Sequence, residues 1–226
     1  MVEFRQLCDG PASFRFMRHG QSSGNVKRVP QGRADHPLTE VGRSQAREAG
    51  RWFRDKGLDL VLTSPLARGR ETAKIVAEAA GAPAPVAVED LTEIDTGVLT
   101  DVVWADVPVR LPDAYRDFQL SGWEGVEGAE RAAELRARAG AVWELLCRHY
   151  ADGRRNILAV SHAGFLQWII RATFGHGAWM PLFGGAGNCA VSELEVRNEP
   201  VDDGRFSYYA EWTMINARPW GAEQDG

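Results

Sequence analysis

The sequence predicts an α/β fold: a three-layer sandwich with a mostly parallel sheet, an antiparallel edge strand and an inserted lid region. Three observations carry this. Short apolar runs of strand length alternate with longer segments of helical period along most of the 226 residues. The last two apolar runs alternate polar and apolar residues and are separated by a turn containing Pro, Asp and Gly, which reads as an antiparallel or edge hairpin. One stretch, Asp95 to Val126, breaks the rhythm; it is rich in Pro, Asp, Gly and Trp and weakly periodic, and reads as an insert over the sheet edge. The expected organisation is one domain over 1–226 with a lid at about 95–126.

The first strand is expected at Phe14–Met17. A helix follows from Gly42 to Lys56, with Ala46, Ala49 and Phe53 on one face and Gly57 as its stop. Leu58–Ser64 reads as the second strand. Ser64-Pro65 then has the form of an N-cap and first-turn proline, opening a helix with Thr72, Ala73, Val76 and Ala80 on one side. Ala84–Glu89 is the third strand. From Glu127 to His149, Ala132, Leu135, Ala139, Val142 and Leu146 form a core stripe. Asn156–His162 is the fourth strand, and Leu166, Ile169, Ile170 and Thr173 line the helix after it. Ala190–Val196 and Arg205–Ile215 form the terminal hairpin.

Composition excludes several classes of function. Hydrophobic residues make up 44% and charged residues 25%, as in ordinary globular proteins. The net charge of -5 argues against bulk binding of nucleic acid or an anionic membrane. Lys27, Lys56 and Lys74 are the only lysines, so positive charge is carried mainly by arginine, whose planar fork grips phosphate oxygens in pairs. Cys8, Cys147 and Cys189 lie far apart with no metal-ligand spacing; they are expected to be reduced and mostly buried. The N-terminus has no apolar core of a signal peptide, and no run reaches the roughly 20 apolar residues of a membrane span. A cytoplasmic location is expected.

Ligands of open α/β sheets bind beyond the carboxyl ends of the strands. Here those ends carry Arg18-His19-Gly20, Thr63-Ser64-Pro65 with Arg68 one turn on, and Ser161-His162-Ala163-Gly164; Glu93 follows the third strand after a short link. Two arginines, two histidines and a carboxylate at one sheet edge suit a phosphoryl group, with helix N-termini at Ser64 and Ala163 adding N–H donors. Arg18 and Arg68 would neutralise the non-bridging oxygens. A neutral His19, its pKa depressed by the two cations, would attack phosphorus. His162 would stabilise developing charge, and Glu93 would protonate the leaving oxygen and later assist water. His36, His149 and His176 are read as structural. No metal need be invoked.

These stretches together resemble the histidine phosphatase superfamily, in its phosphoglycerate-mutase-like branch. "RHGQSSGN" is similar to that family's RHG-x-x-x-x-N signature, "QGRADHPLTEVGRSQA" to G-x-x-D-x-PLT-x-x-G-x-x-QA, "TSPLARGRETA" to S-x-x-x-R-x-x-x-TA, and "VSHAG" to its second-histidine signature, all in order from about Phe14 to Val196. The resemblance implies His19 as the phosphorylated nucleophile, Arg18, Arg68 and His162 around the phosphate, where the helix start at Ala163 is also expected, Asn25 in the loop lining the pocket, and Glu93 as proton donor with Asp95 as the fallback. It implies no metal and no cofactor. Two departures stand out. Where the family continues as E-x-x-x-G-x-W-x-G, Gly97 is kept but Leu99 and Asp101 replace the tryptophan and second glycine. The E-R-H-Y-G stretch of the mutases proper is replaced by "YRDFQLSGWEG".

The expected activity is therefore hydrolysis of a phosphomonoester of a small soluble metabolite. Trp104, Arg110, Tyr115, Arg116 and Trp123 are the candidate lid contacts. The alternatives are a mutase-type isomerase, which returns the phosphoryl group to substrate, and a non-catalytic phospholigand-binding scaffold. The terminal hairpin makes a homodimer possible.

Overall fold

In the computed structural model, which describes residues 7, 9–174, 186–200 and 206–220, the strands are β1 (Ala12–Arg18), β2 (Leu60–Thr63), β3 (Val86–Ala87), β4 (Asn156–Ser161), β5 (Val191–Pro200) and β6 (Phe206–Ala217). Among the described residues they form one sheet in the order β3-β2-β4-β1-β5-β6. β1, β2 and β3 run parallel to their neighbours on the β4 side of the sheet, whereas β5 is antiparallel to both β1 and β6. The expected mixed sheet with a terminal hairpin is what forms.

Strand alternation assigns each side chain to a face. Phe14, Phe16, Leu62, Ile157 and Ala159 pack against α6 (Ala132–Ala151) and α7 (Ala163–Arg171), with Trp143 and Phe165 between the layers. Met17, Val61, Leu158 and Val160 face α2 (Glu40–Phe53) and α3 (Ala67–Ala80), where they meet Ala46, Ala49, Phe53, Ala73 and Val76. Helices on both faces make the three layers. Small alanines on α2 and α3 let the two helices lie close. Thr39 caps α2 by accepting from Gly42 N–H, and Gly57, at φ +60°, ends the turn that follows it.

Three elements depart from the sequence reading. β3 is two residues long, not six, because Pro85 removes a donor and both strand residues are exposed at the sheet edge. α6 begins at Ala132, not Glu127: Ala129 instead bridges to Thr96, and Glu130 N–H donates to Asp95 O. α3 begins at Ala67, two residues beyond the expected Ser64-Pro65 start. Its first N–H is taken by Asp35 Oδ1 at 3.0 Å, so Asp35 from another segment serves as the cap and Ser64 is released for a different partner.

The insert is more ordered than its composition implies. α4 (Val107–Arg110) and α5 (Pro112–Ser121) enclose a small core of Leu99, Val102, Val107, Val126 and Ala129. Trp104 packs edge-on against Tyr115 and Phe118, and Trp123 against Phe118. Of the expected lid contacts, Tyr115 and Trp123 therefore serve the lid's own packing, and Arg116 is engaged by Asp113 and Asp117. Trp104 stays partly exposed and Arg110 exposed.

Cys147 and Cys189 are free and buried. Burial raises the Cys189 thiol to about 12, so it stays protonated. Cys8 and His176 lie outside the described residues. No helix among the described residues is long and apolar enough to cross a membrane.

Candidate active site

Register builds the centre of the site. β1 and β4 pair Arg18 with Ser161, so the next residues, His19 and His162, leave the sheet side by side. His19 N–H donates to Ser161 O at 3.0 Å, and the two rings stand 5.0 Å apart. β2 pairs Thr63 with Val160, and Ser64 N–H continues the ladder to Val160 O. Ser64 thus arrives beside His162.

Each ring is oriented by its partner. His19 Nδ1 lies 2.7 Å from Gly20 O, a carbonyl that can only accept; the ring proton is therefore on Nδ1 and the lone pair on Nε2. His162 Nε2 lies 2.7 Å from Ser64 Oγ, which accepts in turn from Leu66 N–H. Assigned from this network, the Ser64 hydroxyl donates to Nε2 and the His162 proton sits on Nδ1. Among the described residues that Nδ1 is buried without a hydrogen-bond partner. Burial, then Arg18 and Arg68, holds His19 well below its ordinary value of 6.5. His162 is lowered likewise, by burial first and then by His19 and Arg68. Both rings are neutral at pH 7.

Arg68 is fully buried. Its Nη1 and Nη2 donate to Ala34 O and Gly32 O at 2.7 and 2.8 Å, and its Nε has no partner among the described residues. Burial pushes the guanidinium pKa down, while the carboxylates of Glu93 and Asp35 oppose that; the group stays charged. Arg18 Nη1 donates to Ala186 O.

The loop after β1 is shaped by close approaches. A Cβ on Gly20 would lie 2.5 Å from Gly42 O, and one on Gly42 would lie 2.1 Å from Gln21 O, so both glycines are required where the loop meets α2. Asn25 lies in α1 (Ser23–Lys27) and braces this loop. Its Oδ1 accepts from Ser22 N–H and from Asn188 Nδ2, and the same Asn188 nitrogen also contacts His19 O.

Glu93 is held by α7. Oε1 accepts from Phe165 N–H and Ile94 N–H, both at 2.9 Å, and Oε2 from Gly164 N–H at 3.2 Å. A Cβ on Gly164 would lie 2.7 Å from Oε1. The start of α7 therefore holds a carboxylate with its second and third N–H groups. Of the N–H donors expected at this helix start, Gly164 and Phe165 are taken by Glu93, and among the described residues Ala163 N–H is the one left to offer. Asp95, the fallback acid, is used elsewhere: its Oδ1 accepts from Gly97 N–H, and its backbone joins Glu130.

The structure thus gathers His19, His162, Arg68 and Glu93 into one electrostatic cluster with Arg18, and places Asn25 not in a loop but in the first turn of a short helix, where it completes a capping box with Ser22. Sequence reading missed Ser64 as a partner of His162, Asn188 as a brace, and Asp101. Asp101 takes φ +62°, a conformation that suits the glycine expected there, and its carboxylate lies 2.6 Å from His36 Nε2. That contact links the lid to the loop before α2. His36, read as structural, is buried in this role.

A buried, neutral, correctly oriented imidazole beside two guanidinium groups can act as a nucleophile toward an anionic phosphorus centre. Comparison with known proteins identifies the family. The chain matches the family model of the histidine phosphatase superfamily (branch 1) over residues 14–202. A Salmonella typhi protein named "Probable phosphoglycerate mutase GpmB" is 30% identical over 183 residues, covering 80% of this chain and 83% of that protein. The fold is shared with a mycobacterial glucosyl-3-phosphoglycerate phosphatase in complex with VO3 (TM-score 0.73, 23% identity, 92% of this chain and 100% of that one). It is shared too with the α-ribazole phosphatase of Shigella flexneri (TM-score 0.72, 23% identity, 94% and 100%).

Proposed function

The chain belongs to the histidine phosphatase superfamily, and from that premise we propose that it hydrolyses the phosphomonoester of a small metabolite through a covalent phosphohistidine on His19. The observation that carries this reading is a pair of buried hydrogen-bonding atoms, Arg68 Nε and His162 Nδ1, without partners among the described residues, beside a histidine whose Nε2 lone pair is available. Buried polar atoms are normally satisfied. A phosphoryl group would satisfy both.

In the first step His19 Nε2 forms a bond to phosphorus as the ester P–O bond breaks. The electron pair goes to the ester oxygen, which takes a proton from the protonated form of Glu93. Arg18, Arg68, Nδ1–H of His162 and Ala163 N–H neutralise the equatorial oxygens, where charge develops. In the second step Glu93 takes a proton from water as its oxygen attacks phosphorus, and the N–P bond breaks to free His19. All groups in this scheme are side chains or backbone of this chain, so the reaction is expected to proceed in chelator.

The mutase reading differs only in the acceptor of the phosphoryl group. The GpmB relative's name favours it. The lid weighs against it, since "YRDFQLSGWEG" stands where mutases carry E-R-H-Y-G and its aromatic residues pack into the lid core. Incubation with 3-phosphoglycerate, with and without bisphosphoglycerate, beside a panel of phosphomonoesters in chelator, separates the two. Release of inorganic phosphate from at least one ester without phosphoglycerate interconversion is the expected result. Interconversion faster than phosphate release from any ester would refute hydrolysis as the main activity.

A further inference from the structure

Glu93 lies in a connecting segment just beyond a 3₁₀ turn at Glu89–Leu91, not in a helix or strand. A catalytic carboxyl group must be held to about 0.5 Å, which a connecting segment does not achieve alone. The contacts around this segment converge on one ion pair, Arg138 and Glu130, whose arginine also lies close enough to lower the His162 pKa by its charge. We propose that Arg138 and Glu130 are positioning residues for the Glu93 carboxyl group, a proposal that rests on the acid role given to Glu93 above.

Arg138 reaches over from α6. Its Nη1 donates to Asp90 O at 3.1 Å and Thr92 O at 2.5 Å, fixing the chain immediately before Glu93. Its Nε and Nη2 grip Glu130 Oε1 and Oε2 at 2.9 and 2.7 Å. The face of the guanidinium lies over Phe165, with Cζ 3.8 Å from the ring centroid. Phe165 N–H is itself a donor to Glu93. Arg138 therefore ties the segment that carries the acid to the helix start that holds it.

Glu130 fixes the other side. Its N–H donates to Asp95 O at 3.1 Å, and its Oε2 accepts from Asp95 N–H at 3.3 Å, two residues beyond Glu93. The same Oε2 lies 3.3 Å from Arg33 Nη2. Arg33 sits between Gly32 and Ala34, whose carbonyls hold Arg68. One pair, with side chains 11% and 7% exposed, thus brackets Glu93 before and after and reaches the loop of the phosphate-gripping arginine. A lysine in place of Arg138 has no planar fork and cannot keep the bidentate grip, the stacked face and the two carbonyl bonds together.

A positioning role has a kinetic signature that general destabilisation lacks. A 4-nitrophenolate leaves without needing a proton, whereas phenolate, with a conjugate-acid pKa near 10 like tyrosine, needs one. Misplacing Glu93 should slow phenyl phosphate more than 4-nitrophenyl phosphate. The test measures kcat/KM for both esters in the wild type, Arg138→Lys, Glu130→Gln and Glu93→Gln, with folding of each variant checked by circular dichroism. The ratio of 4-nitrophenyl to phenyl activity is expected to rise at least about tenfold in Arg138→Lys and Glu130→Gln, in the same direction as in Glu93→Gln. If Glu93→Gln raises the ratio and the two folded variants do not, the positioning proposal is overturned and the acid assignment stands. If Glu93→Gln leaves the ratio unchanged, the acid assignment falls and the proposal with it.

Discussion

His19 and His162 are kept neutral mainly by burial, and the cations around them act in the same direction. This has a signed consequence for stability. Each folded-state pKa lies below the ordinary value of 6.5, so between the lowered value and about 6.5 the unfolded chain binds more protons than the native one. Their contribution is fully present above about pH 6.5 and is lost as pH falls below it. The urea midpoint should therefore drop between about pH 7 and about pH 5, and the drop should shrink in His19→Asn/His162→Asn. An unchanged drop in the double variant would contradict the assignment. The acid limb of kcat/KM should also lie below 6.5, because the nucleophile stays unprotonated there. Ser64 is a second test at this scale. Ser64→Ala removes the hydroxyl that sets the His162 tautomer, and kcat on an aryl phosphate should fall about tenfold, the equivalent of one ordinary hydrogen bond. An unchanged kcat would show that Nδ1 is presented without help from Ser64.

At the scale of elements, the strand ends were the legible part. Period-two and helical patterns located β1, β2, β4 and their helices, and the motifs at those strand ends named His19, Arg68 and His162. What escaped notice depends on contacts between segments far apart in sequence. Asp35 caps α3 from 32 residues away, and Arg138 contacts the Thr92 carbonyl from 46 residues away. No local pattern marks either. The lid was legible as a break in the rhythm, but its helices were not, because short helices built around Pro108 and Pro112 cannot show a long apolar stripe. The approach of Gly42 to Gln21 gives a clear prediction for the junction of loop and α2. Gly42→Ala should destabilise the fold by more than about 2 kcal/mol, since the added Cβ meets backbone at 2.1 Å, which cannot swing aside. Thermal unfolding measures this; a loss under about 0.5 kcal/mol would mean that the loop shifts freely.

Across the whole molecule, the ion pairs of the described residues away from the site are mostly solvent-facing, as in Lys74–Glu78, Arg116–Asp113 and Arg197–Glu211, where such pairs contribute little. The main exception is Arg15 and Glu193, direct partners across β1 and β5, whose ion pair at 2.6 Å is buried on the α2 face. Arg15 Nε and Nη1 have no hydrogen-bond partner among the described residues, so the pair recovers only part of its desolvation cost. Glu193→Gln should cost about 3 kcal/mol, while Arg15→Met with Glu193→Leu should be neutral or stabilising; denaturant melts of both variants test the contrast. Neither change reaches the pocket.

The account turns on a covalent bond between phosphorus and His19, and rapid quench with a ³²P-labelled phosphomonoester tests it most directly. The predicted result is a burst of protein-bound label, stable to base and labile to acid, mapping to the peptide that contains His19 and absent in His19→Ala. Hydrolysis at the wild-type rate with no trapped label in the burst phase, or label that persists in His19→Ala, would contradict it.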